Sequence, residues 1–293
     1  MENIMVEYRH PSAELRARVA LEKHGFRNAH SLGQNFILDE GLLEHLLDAA
    51  EVWGEDNVLE IGPGPGLMTA LLAARAKRVT AVEIDRGLEP VLREVLDGAD
   101  NVRLVFQDIL KADLPVLVGE AFGDEPYRVV ANLPYYITAD IVLRLVTSAR
   151  PPESIAIMVQ REAADRVMSH PGEKQWCALA ATVQSYGQPR VLMDVGPDAF
   201  DPPPHVQSQF IMIARHVQPL VEPKDEKTYL KLISAAFAMR RKTLANNLKA
   251  SFGLDNDGSR AVLRAAGVDE RVRGEALTLQ ELCRVADAIV ERS

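Results

Sequence analysis

The sequence is poor in the features that mark membrane, secreted or metal-stapled proteins. Across its 293 residues no apolar run reaches the roughly 18 positions that argue for a membrane-spanning helix. Its start is charged and shows no apolar stretch followed by a small-residue cleavage site, so no secretory leader is read there. Cysteine is limited to Cys177 and Cys283. Two distant thiols form neither a disulfide framework nor a metal site, and they suit a reduced, cytoplasmic protein. There are no internal repeats and no low-complexity tract. An excess of positive charge is missing too. The net charge of −9 argues against a nucleic-acid partner.

The distribution of charge softens that objection. Residues 221–293 carry 13 Lys and Arg against 11 Asp and Glu, and residues 1–30 carry 5 against 4. The acid is therefore concentrated between residues 31 and 220, and both ends are mildly basic. Screening limits the reach of distant charge to about 10 Å, so a local basic face binds phosphate despite an acidic total. A hydrophobic content of 47% and a charged content of 26% describe a folded chain with ample core, either one large domain or two of ordinary size.

Periodicity supplies the elements. Residues 12–24 read as a helix with Ser12 as N-cap, and Asp39 starts another, with Leu42, Leu43, Leu46, Leu47 and Ala50 on one face. Between them, His30 to Phe36 reads as loop. From Asn57 the pattern alternates. Strands are read at Val58–Ile61, Val79–Val82, Val102–Phe106, Arg128–Ala131 and Ile155–Val159. Helices are read at Leu67–Ala76, Leu88–Leu96, Ile141–Val146 and Glu162–Met168. Strands near Val191–Val195 and Val206–Ile213 close the sheet. This βαβ alternation implies a Rossmann-like α/β domain with parallel strands and helices on both faces. After Pro219 and Pro223 only helices are read, at Tyr229–Ala238, Thr243–Ala250, Arg260–Ala266 and Leu279–Val290. The expected organisation is a helical extension over 1–30, a catalytic domain over 31–220 and a small all-helical C-terminal domain over 221–293.

Three strand ends carry the chemistry. Glu60-Ile61-Gly62-Pro63-Gly64-Pro65-Gly66 lies between a strand and a helix, where glycines let backbone approach a ligand closely. It does not match the dinucleotide fingerprint G-x-G-x-x-G/A. Counted from Gly62 the last position is Leu67, and counted from Gly64 it is Thr69. The preceding acid, Glu60, suits a cationic ligand better than a pyrophosphate, and S-adenosylmethionine carries a sulfonium and an ammonium. Glu83, at the next strand end, has the chemistry to accept from both ribose hydroxyls. Asp108, after the third, has the chemistry to accept from the cofactor's adenine amino group, or to serve as a turn acid.

The fourth strand ends in Asn132-Leu133-Pro134-Tyr135. The adenine N6 lone pair is delocalised into the ring, and acceptors around its N–H bonds help the nitrogen pyramidalise. Asn132 offers a side-chain carbonyl, Leu133 or Pro134 a backbone one, and Pro134 stiffens the turn. Tyr135 offers a stacking face for the extruded base, worth about 1–3 kcal/mol. No strong general base is needed, because the nitrogen becomes acidic as the methyl arrives. Arg240-Arg241-Lys242, followed by Asn246, Asn247 and Lys249, reads as a phosphate-binding surface.

With these motifs in order, the chain resembles the small-subunit ribosomal RNA adenine N6-dimethyltransferases of the KsgA type. The matching segments are Gly33-Gln34-Asn35-Phe36, Glu60-Ile61-Gly62-Pro63-Gly64, Glu83-Ile84-Asp85, Gln107-Asp108, Asn132-Leu133-Pro134-Tyr135, Phe200-Asp201-Pro202-Pro203-Pro204 and Phe237–Leu248. The resemblance implies dimethylation of two adjacent adenosines near the 3′ end of 16S rRNA. By matching positions it implies that Asn35, Ile37, Gly62, Glu83, Asp108 and Asn132 contact the cofactor, and that Asn132 and Tyr135 serve the target base. It also implies Phe200 as a second stacking face and an RNA-holding role for Arg240, Arg241, Lys242 and Lys249. The expected partner is 16S rRNA or the small-subunit precursor, with a role in ribosome biogenesis and a cytoplasmic monomer as the working species. Departures from the family pattern fall at His30, His205, Gln207 and Trp176-Cys177. Three rival readings share part of this pattern: a large-subunit rRNA adenine methylase of the macrolide-resistance type, a non-catalytic nucleic-acid-binding relative and a DNA adenine methylase.

Overall fold

The computed structural model describes residues 11–26 and 33–292. The loop expectation at His30, Ser31 and Leu32, and the departure at His30, lie outside the described residues. Helix α1 (Ala13–Lys23) starts as its sequence dictates: the Ser12 hydroxyl accepts from the Leu15 N–H. Helix α2 (Glu40–Ala49) is capped by Asp39 and buries Leu43, Leu46 and Leu47.

The sheet that follows has seven strands. In chain order they are β2 (Asn57–Ile61), β3 (Arg78–Glu83), β4 (Val102–Phe106), β5 (Arg128–Asn132), β6 (Ser154–Gln160), β7 (Gly187–Val195) and β9 (Ser208–Arg215). Their spatial order is β4-β3-β2-β5-β6-β9-β7. Pairings β2–β3, β3–β4 and β2–β5 are parallel. Strand β2 is buried along its whole length, as a central parallel strand must be. The order reverses beside it, with β3 on one flank and β5 on the other. That switch point is where open α/β sheets bind ligands, at the carboxyl ends of the strands. The Rossmann-like expectation holds.

The sheet is linked by α3 (Leu67–Arg75), α4 (Glu89–Val95), α5 (Leu114–Phe122), α6 (Thr138–Val146), α7 (Arg161–Met168) and α8 (Ala178–Tyr186). Two elements lie where only loop was expected. Strands β1 (Phe36–Ile37) and β8 (Phe200–Asp201) form a separate antiparallel pair, with Phe36 opposite Asp201 and Ile37 opposite Phe200. The chain ends in α9 (Glu226–Ala238), α10 (Leu244–Phe252), α11 (Asn256–Ala265) and α12 (Leu279–Arg292).

Contacts divide the chain into two compact units. Among the described residues, one comprises those up to 137, 156–158 and 192–210; the other comprises 138–155, 159–191 and those from 211 onward. The second holds a core in which Trp176, Ala180 and Ala181 pack with Tyr229, Leu232, Ile233, Leu244, Leu263 and Leu282. Trp176, an unexplained departure in the sequence, is fully buried there and meets Phe237 edge-on at 6.2 Å between ring centres. Among the described residues no helix is long and apolar enough to cross a membrane.

Candidate functional site

Register brings the site together. Ile61 pairs with Val82 on one side and Ala131 on the other. The next residue of each strand, Gly62, Glu83 and Asn132, therefore emerges at one level. All three line one cavity at the carboxyl ends of the strands. Its other walls include Gly33 to Ile37, Leu43, Pro63 to Pro65, Leu67, Met68 and Leu133 to Tyr135.

The glycine loop is shaped by its backbone. Gly62, Gly64 and Gly66 have φ of +72°, +55° and +85°, a region that costs other residues strain. Gly64 has a second reason to lack a side chain: a Cβ there would stand 2.9 Å from two carbons of the Phe36 ring. Glu83 braces the loop from below. Its carboxylate accepts from the Gly64 N–H at 3.3 Å and the Asp85 N–H at 2.8 Å. Burial pushes the Glu83 carboxyl up from its ordinary range, and these two backbone donors work against that shift.

The Asn132 amide is held in one orientation. Its nitrogen donates to the Asn35 carbonyl at 3.0 Å, which leaves its oxygen as the acceptor. Asn35 is fixed in turn, its amide nitrogen donating to the Pro202 carbonyl at 3.0 Å and the Gln34 carbonyl at 3.2 Å. Gln34 donates to Asp85 at 2.9 Å. The Gly33–Phe36 loop is thus tied to β3, to β5 and to the proline loop after β8. In the turn after Asn132, the Pro134 carbonyl accepts from the Ile137 N–H at 3.2 Å. The Tyr135 hydroxyl meets the buried Ser208 hydroxyl at 2.6 Å, and partial burial raises the phenol above its ordinary range.

Residues 25–291 match the sequence family described as Ribosomal RNA adenine dimethylase. The chain belongs to that family. Among the dimethylase relatives, a Ribosomal RNA small subunit methyltransferase A from Lachnoclostridium phytofermentans is 42% identical over 275 residues, 93% of this chain and 95% of the relative. The protein of that name from Alkaliphilus metalliredigens is 40% identical over 278 residues, 94% of this chain and 97% of the relative. The solved structure of the 23S rRNA methyltransferase ErmE is 27% identical, with a TM-score of 0.64, covering 87% of this chain and all of that one. A dimethyladenosine transferase from Plasmodium falciparum shares the fold, at 21% identity and a TM-score of 0.67 over 84% of this chain and 94% of that one.

Not every expected residue joins the cavity of this dimethylase. Asn35, Ile37, Gly62, Glu83, Asn132, Leu133, Pro134 and Tyr135 line it; Asp108 and Phe200 do not. Glu83 pairs with Phe106, so Asp108 lies two residues beyond the common level. Its carboxylate accepts from the Leu110 N–H at 2.9 Å and stands 3.4 Å from the Lys111 ammonium. In this arrangement it acts as a turn acid. Phe200 is 4% exposed, in the strand opposite Ile37, and so presents no open stacking face. It anchors the proline loop.

Glu60 needs a further correction. The sequence reading set its negative charge near a cationic ligand. In β2 the side chain is fully buried and absent from the cavity wall, and burial pushes its carboxyl up to about 8. It is neutral near pH 7.

Members of the basic run differ in their partners. Arg240 donates to the Lys174 carbonyl at 2.7 Å and faces Glu275 at 3.4 Å, while Lys249 donates to Asn256 at 2.8 Å. Asn247 is buried and donates to the Ala236 carbonyl. Arg241 and Lys242 are exposed and, among the described residues, carry no ion pair. His205 and Gln207 are exposed, whereas Gln209 is buried and donates to Asp194 at 2.8 Å.

The sequence reading missed the Ser208 anchor of Tyr135. It also missed the cavity walls supplied by Leu43, Leu67 and Met68, which read only as helix-face residues. Nothing in the local sequence marks Ser208. The helix periodicity did bring Leu43 inward, but not toward a ligand.

Proposed function

We propose that this chain transfers methyl groups from S-adenosylmethionine to the N6 amino groups of two adjacent adenosines near the 3′ end of 16S rRNA, acting as a cytoplasmic monomer on the small subunit or its precursor during ribosome biogenesis. The observation that carries the reading is the fixed Asn132 amide beside the glycine cavity. Relatives at 40–42% identity over nearly their full length bear small-subunit names, against 27% for the large-subunit enzyme, and this favours the small subunit. The decisive measurement is transfer of labelled methyl to unmethylated small subunits, with the product mapped by mass spectrometry. Absence of mono- and dimethyladenosine from the product overturns the reading.

The cavity suits the cofactor. Bare glycine backbone, a braced carboxylate at Glu83 and apolar walls at Ile37, Leu43, Leu67 and Met68 match a nucleoside carrying a sulfonium-linked amino-acid chain. When bound, S-adenosylmethionine supplies an electrophilic methyl group. The protein's part is to position the amine and stabilise the charge that develops on it. The Asn132 oxygen accepts one N–H of the amine. The second acceptor is a backbone carbonyl, that of Leu133 or that of Pro134, which already accepts one bond from Ile137. Tyr135 stacks on the base, held by Ser208. Among the residues lining the cavity, Glu83 is the one carboxylate, and it is occupied by backbone donors. The proton leaves late, to solvent water, without a general base. Asp108 is kept as a cofactor contact only if it exchanges its present partners for the adenine amino group.

The cofactor reading predicts that Gly64→Ala lowers S-adenosylmethionine affinity at least ~10-fold. The variant forces a side chain into a left-handed conformation, at about 1–2 kcal/mol, and drives it into the Phe36 ring. Isothermal calorimetry reads this directly, and unchanged affinity would remove the loop from the cofactor wall.

RNA holding is assigned to the helical segment over 221–293, apart from a catalytic domain over 31–220. Within it Arg241 and Lys242 lead, because Arg240 and Lys249 are engaged by protein partners. The double variant Arg241→Ala, Lys242→Ala is expected to weaken binding to an rRNA fragment. It should also reduce the slope of log affinity against log salt by about 1.4–1.8, the release of two counterion equivalents. Titrations at several salt concentrations measure it, and an unchanged slope places the phosphate contacts elsewhere.

A further inference from the structure

With Phe200 buried, the target base is left one partly covered ring, Tyr135. The next residue differs. Tyr136 is 65% exposed, and it stands just outside the cavity wall. Its ring lies against Gly33, where a Cβ would be 3.4 Å from Cε1 and 3.6 Å from Cδ1; the same point is 3.5 Å from the Pro134 Cβ. Gly33 and Pro134 both line the cavity. The absence of a side chain at Gly33, whose φ is +61°, lets the ring rest directly on backbone. Tyr136 is thus seated at the mouth with much of its ring open to water, and its hydroxyl has no hydrogen-bond partner among the described residues.

We propose that Tyr136 is a substrate-stacking residue: its open face takes the unpaired base that flanks the target adenosine while the target occupies the cavity against Tyr135. The inference rests on the reading of this cavity as an RNA adenine methylation site. Turning one base out of a strand removes a stacking partner from its neighbour, and the neighbour's apolar face is then exposed. A tyrosine ring one residue along the chain from Tyr135 restores that contact. Stacking is tolerant of base identity, because every base presents a π-face. One ring is far too small an area to dock a protein partner, which needs roughly 800 Å² per side, but it matches a single base.

The test compares Tyr136→Ala and Tyr136→Phe with the unaltered protein on unmethylated small subunits, with cofactor affinity followed by calorimetry. Tyr136→Ala should raise KM for the subunits about 10-fold, equal to about 1.4 kcal/mol. It should leave kcat within about twofold and cofactor affinity unchanged, and Tyr136→Phe should behave as the unaltered protein does. A short rRNA substrate abasic at the flanking nucleotide should reduce the unaltered protein to the level of Tyr136→Ala and leave that variant unaffected. An unchanged KM in Tyr136→Ala, equal sensitivity of both proteins to the abasic substrate, or loss of cofactor affinity overturns the proposal. Failure of the unaltered protein to transfer methyl at all overturns the underlying methylation reading, and this proposal with it.

Discussion

Asn132→Ala is expected to lower kcat on small subunits by about 10²–10³-fold, the range found when one hydrogen-bonding group aimed at transition-state charge is removed. The amine carries little positive charge before transfer and much more during it. An acceptor at Asn132 therefore stabilises the transition state more than the bound substrate, and its loss falls on kcat rather than on KM. The fold should persist. Asn132 ends β5, and the variant forfeits one partly buried hydrogen bond, to the Asn35 carbonyl, of about 1 kcal/mol. Asn132→Asp discriminates orientation from composition. It keeps an oxygen for the amine but sets a second oxygen against the Asn35 carbonyl, where the nitrogen donated. Its carboxylate should turn away, and the variant should stay impaired. Single-turnover transfer from labelled cofactor measures both, with circular dichroism confirming the fold. A fully active Asn132→Ala removes the residue from the mechanism.

Strand register explains why some of this site was legible in the sequence and some was not. Gly62, Glu83 and Asn132 each follow a short apolar strand, and periodicity places strand ends to within a residue or two. That precision sufficed to bring the three together. It leaves Asp108 two residues beyond that level, where its carboxylate accepts from the Leu110 N–H. The burial of Phe200 was illegible for another reason. A two-residue strand has no period to read, so the β1–β8 pairing that holds Phe200 opposite Ile37 was invisible. Helix α8 was missed because Ala180, Ala181, Thr182, Val183 and Ser185 are buried nearly all around it, which erases the amphipathic signal. Its neighbour Trp176 could not be assigned until the C-terminal helices were seen to pack on it. In the basic run, charge was legible but pairing was not. Glu275 and Asn256, which occupy Arg240 and Lys249, lie 35 and 7 residues away.

Glu60→Gln should stabilise the protein at alkaline pH, by up to several kcal/mol. The Glu60 carboxyl rises from 4.5 to about 8 chiefly through burial; the Thr69 hydroxyl opposes the shift and the Glu83 carboxylate adds to it. Both Glu60 oxygens are shut off from water. The folded chain therefore keeps a proton that the unfolded chain releases. Below pH 4.5 both states hold it and the residue imposes no pH dependence. As pH rises from 4.5 to about 8, only the unfolded state ionises, so stability falls; above about 8 both are ionised and the loss is complete. At about 1.4 kcal/mol for each pH unit of that window, the upper bound is near 5 kcal/mol. Glutamine keeps the shape and stays neutral, so denaturant titrations of the two proteins should converge near pH 4 and separate progressively up to pH 8. Parallel curves across that range would show that Glu60 ionises normally. Cofactor affinity at pH 7 should change by less than about threefold, because a neutral, walled-off acid contributes little Coulomb attraction to a sulfonium. A 10-fold loss would restore Glu60 as a charge partner of the cofactor, deprotonated when the cation binds. The acid that first suggested a cationic ligand would then owe its charge to that ligand.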